Sequence, residues 1–173
     1  MKFVADVMLG KLARWLRILG FDVAYGNRAD DRELLRTARR ERRVLLTRDH
    51  GLLESAKNIR AVFIESDDWR SQIVQVLDAL ELRRRTRPFT RCIACNVRLK
   101  RLSRADARNL VAPFVYERAA SFAICPECGR VYWPGTHFND MDDRLVEILG
   151  RVKGPAAGAR KSVAGTPKKP YNK

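Results

Sequence analysis

Four short apolar runs, each followed by a segment of helical period, organise the first half of the chain. Phe3-Val4-Ala5 stops at Asp6, and Leu9, Leu12, Ala13, Leu16 and Leu19 then recur at helical spacing until Gly20. Residues 22–25 form a second short strand, residues 27–30 a loop, and a helix opens at Asp31 and runs to about Glu41. Residues 44–47 are apolar or β-branched throughout, the pattern of a strand buried on both faces. A helix over residues 52–57, a strand over 61–65 and a helix striped by Ile73, Val76, Leu77 and Leu80 follow. Strand and helix alternate four times, which predicts a mostly parallel sheet with helices on both faces.

The pattern breaks at Arg83-Arg84-Arg85-Thr86-Arg87-Pro88, a basic linker or a helix end whose arginines suit the dipole. Beyond it lie two Cys-x-x-Cys pairs, Cys92/Cys95 and Cys125/Cys128, with 29 residues between them. Two such knuckles predict a four-cysteine zinc site, with disulfides the alternative, and four thiolates leave no open position for catalysis. The spacer exceeds the ~15–20 residues of the commonest pattern, which predicts an inserted helix near residues 103–110. A strand over residues 130–133 and a closing helix over 142–149 complete the module. His137, in the turn between them, is expected to be packed or solvated. The expected division is therefore 1–87, 88–149 and a disordered basic tail over 150–173, where Gly, Pro, Ala and Lys lack periodicity.

Charge changes the picture next. Residues 1–90 carry 19 basic against 13 acidic side chains, residues 91–150 carry 9 against 7, and residues 151–173 carry 7 against none. The formal net charge is +15, and its spread through the folded part points to a polyanionic partner, nucleic acid above all. No stretch approaches the ~20 apolar residues of a membrane span, and Asp6 interrupts any signal-peptide core. Paired cysteines fit a reducing compartment. The expectation is a cytoplasmic protein that binds RNA and no membrane, with the ribosome and tRNA as candidate partners.

The acids concentrate where strands end. Asp6, Asp49 and one of Glu65, Asp67 and Asp68 follow strands, while Asp30 and Asp31 open a helix at the same edge. Each could be a helix cap, and Asp30 with Glu33 is a capping-box-like pair. Yet four segments deliver carboxylates to the edge where such sheets keep ligands. Clustered carboxylates hold hard cations such as Mg²⁺ or Mn²⁺, and Lys11, Arg14, Arg17 and Arg48 are candidate phosphate contacts.

Asp6-x-x-Leu9-Gly10-Lys11-Leu12-Ala13-Arg14-Trp15-Leu16-Arg17, then Asp31-x-Glu33-Leu34-Leu35, then Leu46-Thr47-Arg48-Asp49, resemble the PIN-like ribonuclease family named for the C-terminal region of the mutator-seven exonuclease. Cys92-x-x-Cys95-Asn96 and Cys125-x-x-Cys128 with Tyr132-Trp133-x-Gly135-Thr136-His137 resemble that family's zinc ribbon. The resemblance spans residues 3 to about 149. It implies a PIN-like α/β fold with a small four-cysteine ribbon, and a metal-dependent ribonuclease in which Asp6, Asp31 and Asp49 match the acidic positions. The fourth acid is open among Glu65, Asp67 and Asp68. Two other readings compete. A phospho-receiver switch expects an acid pair after strand one and a Lys after the last strand, and neither is present. A non-catalytic RNA- or ribosome-binding adaptor would rely on the ribbon and the tail.

Overall fold

The computed structural model describes residues 1–150, apart from the side chains of residues 136–139. The tail expected beyond Gly150 and the side chain of His137 lie outside the described residues.

Strands β1 (Lys2–Ala5), β2 (Asp22–Tyr25), β3 (Val44–Thr47) and β4 (Ala61–Phe63) form a parallel sheet in the order β2-β1-β3-β4. Between them run α1 (Gly10–Ile18), α2 (Asp31–Glu41) and α3 (His50–Ser55), and α4 (Trp69–Ala79) follows β4. The period-two alternation of the central strands sorts their side chains to two faces. Phe3, Ala5, Val44 and Leu46 enter the larger core with Leu12 and Leu16 of α1 and Ile73 and Leu77 of α4. Val4 and Leu45 enter the smaller core with Leu34 and Ala38 of α2 and Leu52 of α3. Covering both faces is why these strands read as continuous apolar runs. The fourth strand is shorter than expected because its ladder ends early. Ile64 N–H still reaches the Thr47 carbonyl at 2.8 Å, but Glu65 N–H turns to the Gln75 side chain at 3.2 Å.

The linker is tied to the first unit. Arg87 N–H and Phe89 N–H donate to the Leu19 and Ile18 carbonyls at 2.9 and 2.8 Å, filling acceptors left open at the end of α1. The cysteine module adds β5 (Lys100–Leu102), β6 (Phe122–Ile124) and β7 (Val131–Tyr132) as an antiparallel sheet. The single inserted helix expected near residues 103–110 is instead two short ones, α5 (Arg104–Ala107) and α6 (Pro113–Arg118). Pro113 fixes the start of the second: it drives Ala112 to extended backbone (φ −62°, ψ 147°) and takes the first helical position itself. Ala107, Val115 and Ala119 pack with Phe122 in a separate small core.

The closing helix, α7 (Thr136–Leu149), is longer than expected and leaves the module in which the sequence pattern places it. Leu145, Ile148 and Leu149 are buried in the larger core of the first unit. Among the described residues no helix is long and apolar enough to cross a membrane.

Candidate active site and metal centre

In a parallel sheet of this order the chain leaves β1 for β2 on one side and returns to β3 on the other. The crevice between the carboxyl ends of β1 and β3 is the topological switch point, where open α/β sheets bind ligands. Asp6 and Asp49 flank it. Asp6 extends the pairing of β1 with β3 through its N–H to the Leu46 carbonyl at 3.0 Å, and it is 5% exposed. Thr47, fully buried, donates its hydroxyl to Asp6 Oδ2 at 2.8 Å and accepts the Asp49 N–H at 2.9 Å. One side chain thus fixes both acidic segments, and its own buried hydroxyl is satisfied as donor and acceptor.

Helix capping accounts for three of the acids. Asp30 accepts from Glu33 N–H at 2.7 Å, Asp49 Oδ1 from Leu52 N–H at 3.0 Å, and Asp68 Oδ2 from the Ser71 N–H and hydroxyl at 3.0 and 3.1 Å. The Ser71 N–H bond, with the Ser71 hydroxyl behind it, holds the Asp68 carboxyl below its ordinary range against the small effect of burial. Capping engages one oxygen of Asp49, and its carboxylate remains at the crevice. Asp6 makes no side-chain cap. Asp31 is exposed in the first turn of α2, Glu65 is exposed, and Asp67 pairs with Arg48.

Among the described residues, the four cysteines are the only set of three or more His, Cys, Asp or Glu side chains close enough to hold a metal ion. Asp6, Asp31 and Asp49 are not drawn into one such set. Mutual repulsion of carboxylates works against their convergence. A Mg²⁺-type ion keeps several waters and takes one or two carboxylates with substrate phosphate, a donor set that Asp6 and Asp49 could supply. Asp6 supports the fit: its buried carboxylate has a neutral hydroxyl, not a cation, as its hydrogen-bond partner.

The candidate phosphate contacts separate. Lys11 is exposed, its ammonium 5.1 Å from the centre of the Trp69 ring, which also stacks on Trp15 at 4.6 Å. Arg14 is exposed one turn further on, and Arg48 is engaged with Asp67. The structure corrects the expectation for Arg17: its guanidinium donates to the carbonyls of Val23 (3.0 and 2.8 Å), Ile93 (2.8 Å) and Ala94 (3.0 Å). It joins the first unit to the first Cys-x-x-Cys knuckle. Two features lay outside the sequence expectations. Thr47 stands out only as the one hydroxyl in an apolar strand. Arg32, Arg36, Arg39 and Arg40 share an exposed face of α2, at the helical spacing their numbers show.

The two Cys-x-x-Cys knuckles repeat one geometry. Asn96 N–H and Gly129 N–H return to the Cys92 and Cys125 carbonyls at 2.9 and 3.0 Å, and Cys92 N–H and Cys125 N–H reach the Val97 and Arg130 carbonyls at 2.8 and 2.9 Å. Asn96 (φ 65°) and Gly129 (φ 70°) both take the left-handed conformation this turn demands, which Gly and Asn adopt most readily. Asn96 has a second use: it accepts from Val23 N–H at 3.0 Å and donates to Asp22 at 2.9 Å, docking the knuckle on the edge strand β2. The four Sγ atoms lie within 4.8 Å of one another, and those of Cys92 and Cys128 are 3.8 Å apart. A tetrahedron with Zn–S bonds of about 2.3 Å has edges of about 3.8 Å, so the set can hold a metal ion such as zinc. Burial opposes the Cys92 thiolate, but the Cys95 N–H and the Tyr132 hydroxyl bring its pKa down to about 6. Cys95, sharing hydrogen bonds with Cys128 and then Cys92, is pushed up to about 12, and burial raises Cys125.

The family model described as Mut7-C RNAse domain matches residues 1–145. No curated protein and no solved structure matches the chain.

Proposed function

Because the chain belongs to the Mut7-C RNAse domain family, we propose that it is a metal-dependent ribonuclease hydrolysing RNA phosphodiester bonds at the crevice between β1 and β3. The observation that carries this reading is the Asp6–Thr47–Asp49 linkage at the switch point of the sheet. Asp6 and Asp49 would hold the Mg²⁺ or Mn²⁺ ion, with waters and substrate phosphate completing its shell. Such an ion, when bound, activates water and stabilises charge on the phosphoryl and leaving oxygens. Thr47 holds the Asp6 carboxylate in one orientation and positions the backbone of Asp49. Lys11, kept at the mouth of α1 by the Trp69 ring, presents a cation to the scissile phosphate or its neighbour. The cysteines hold zinc and keep the second module folded.

The test is cleavage of RNA titrated with Mn²⁺, comparing wild type with Asp6→Asn and Asp49→Asn. Metal-dependent cleavage in wild type, lost in both variants, is expected. A non-catalytic RNA-binding adaptor is the second reading, favoured by the arginine face of α2. RNA binding with no cleavage at any Mn²⁺ concentration would establish it.

A further inference from the structure

A groove of about 760 Å³ runs between the cysteine module and the end of α1, and it lies outside the crevice of Asp6 and Asp49. Its walls carry Phe89, Phe114, Tyr132 and Trp133, with Arg91 and Arg118 beside them and no acid among the described residues that line it. Two of these aromatics face solvent: Phe114 is 65% and Trp133 38% exposed. Exposed apolar surface of this kind marks an interaction site more often than idle surface. The indole lies close against the backbone at Gly135. A Cβ at Gly135 would come within 3.1 Å of Trp133 Nε1 and 3.3 Å of Cδ1, so the ring position depends on glycine there. Arg91 is fixed by the Asp22 carboxylate, the Asn96 carbonyl and the Gly20 carbonyl. Arg118, exposed in the last turn of α6, has no ion-pair partner among the described residues.

We propose that this groove binds unpaired nucleobases of single-stranded RNA, with Trp133 and Phe114 as stacking surfaces and Arg118 facing the phosphates. The proposal rests on the ribonuclease reading for the identity of the polymer and deepens it by naming the strand state of the substrate. Charge decides the occupant. A protein segment would bury the apolar walls equally well, but Arg118, with no ion-pair partner and no acid among the described lining residues, complements a polyanion. Aromatic faces with adjacent cations are the equipment that takes up unpaired bases without regard to sequence.

The tryptophans allow a direct test. Trp15 and Trp69 are buried against each other, and Trp133 alone of the three is open to a stacked base. The full chain carrying Asp49→Asn is titrated with a 12-nucleotide single-stranded RNA in buffer without divalent cations, and separately with a duplex of the same length. The expected result is quenching of indole emission by the single strand. Trp133→Ala and Phe114→Ala should each weaken single-strand binding on the order of 5- to 150-fold, with the duplex unaffected. Stacking releases no counterions, so the salt slope should stay unchanged in both, whereas Arg118→Gln should lower it by about 0.7. Phe114→Ala removes an exposed side chain and keeps the test valid if Trp133→Ala fails to fold. No quenching, together with unchanged single-strand affinity in Phe114→Ala, would overturn the proposal. So would equal losses for single strand and duplex, or a change in self-association in place of RNA affinity. Absence of cleavage by wild type with Mn²⁺, alongside the expected binding losses, would remove the nuclease reading and leave the groove assignment standing.

Discussion

Thr47 donates its hydroxyl to Asp6 across the two central strands, over a sequence separation of 41 residues, from a position with no solvent exposure. Thr47→Val keeps the shape but leaves a buried carboxylate and the Asp49 N–H without that partner. The expected cost is about 1–3 kcal/mol of stability, together with most of the cleavage. Thr47→Ser should restore both. Denaturant melts beside a cleavage assay check this; a Val variant as active as wild type would detach Thr47 from the site.

Asp49→Asn separates cap from ligand. Asn caps about as well as Asp, so α3 should persist and the metal-free protein should melt close to wild type. Mn²⁺ should raise the melting temperature of wild type through preferential binding to the folded state, and the variant should lose most of that rise. An undiminished Mn²⁺ response would leave Asp49 as a cap alone.

Arg17→Ala separates a structural arginine from a phosphate contact. The carbonyl bonds of Arg17 join α1, β2 and the first knuckle, so thermal stability should fall while the salt slope of RNA binding stays that of wild type. Burial also explains the direction of its titration: it lowers the Arg17 pKa, against the Cys92 and Asp22 charges. A slope reduced by about one counterion would return Arg17 to the phosphate contacts.

Asp22 supplies the pH dependence. Burial works against its charge, but hydrogen bonds from Arg43 (2.6 Å) and Asn96 (2.9 Å) hold its carboxyl below the ordinary value. A carboxyl depressed in the folded state contributes stability that is complete above its unfolded value, about 3.9, and lost as pH falls through the lower, folded value. Asp22→Asn should therefore be less stable than wild type at neutral pH, with the difference vanishing as melts are taken through the unfolded value and below. A difference independent of pH would place the effect in packing.

Metal removal addresses the cysteines. Protein purified without chelator should carry one zinc per chain, and a strong chelator should unfold the β5-β6-β7 module first, since such sites supply folding energy. Arg17 and Asn96 transmit part of that loss to β2, so the first unit should also melt lower. Cys125→Ser should reproduce the chelated protein. Stoichiometric disulfides in place of zinc would overturn the metal assignment.

Apolar runs and the paired cysteines were local signals, and they determined the four-strand parallel unit and the four-cysteine cluster. Both faces of β3 are covered, so its composition alone marked it as buried on both sides. Capping was equally local: Asp30, Asp49 and Asp68 each bond an N–H three residues on. What the chain does over long separations was not legible. Arg17 read as a phosphate contact beside Lys11 and Arg14, and its partners Ile93 and Ala94 lie 76 and 77 residues away. The short strands β5 and β6 cannot show a period, and the helix that opens at Pro113 lies beyond the one expected near residues 103–110. Leu145, Ile148 and Leu149 showed that α7 had an apolar face, but not which core would bury it. Only the closing of the chain decided that, because burial rewards any apolar surface of matching shape and carries no record of sequence position.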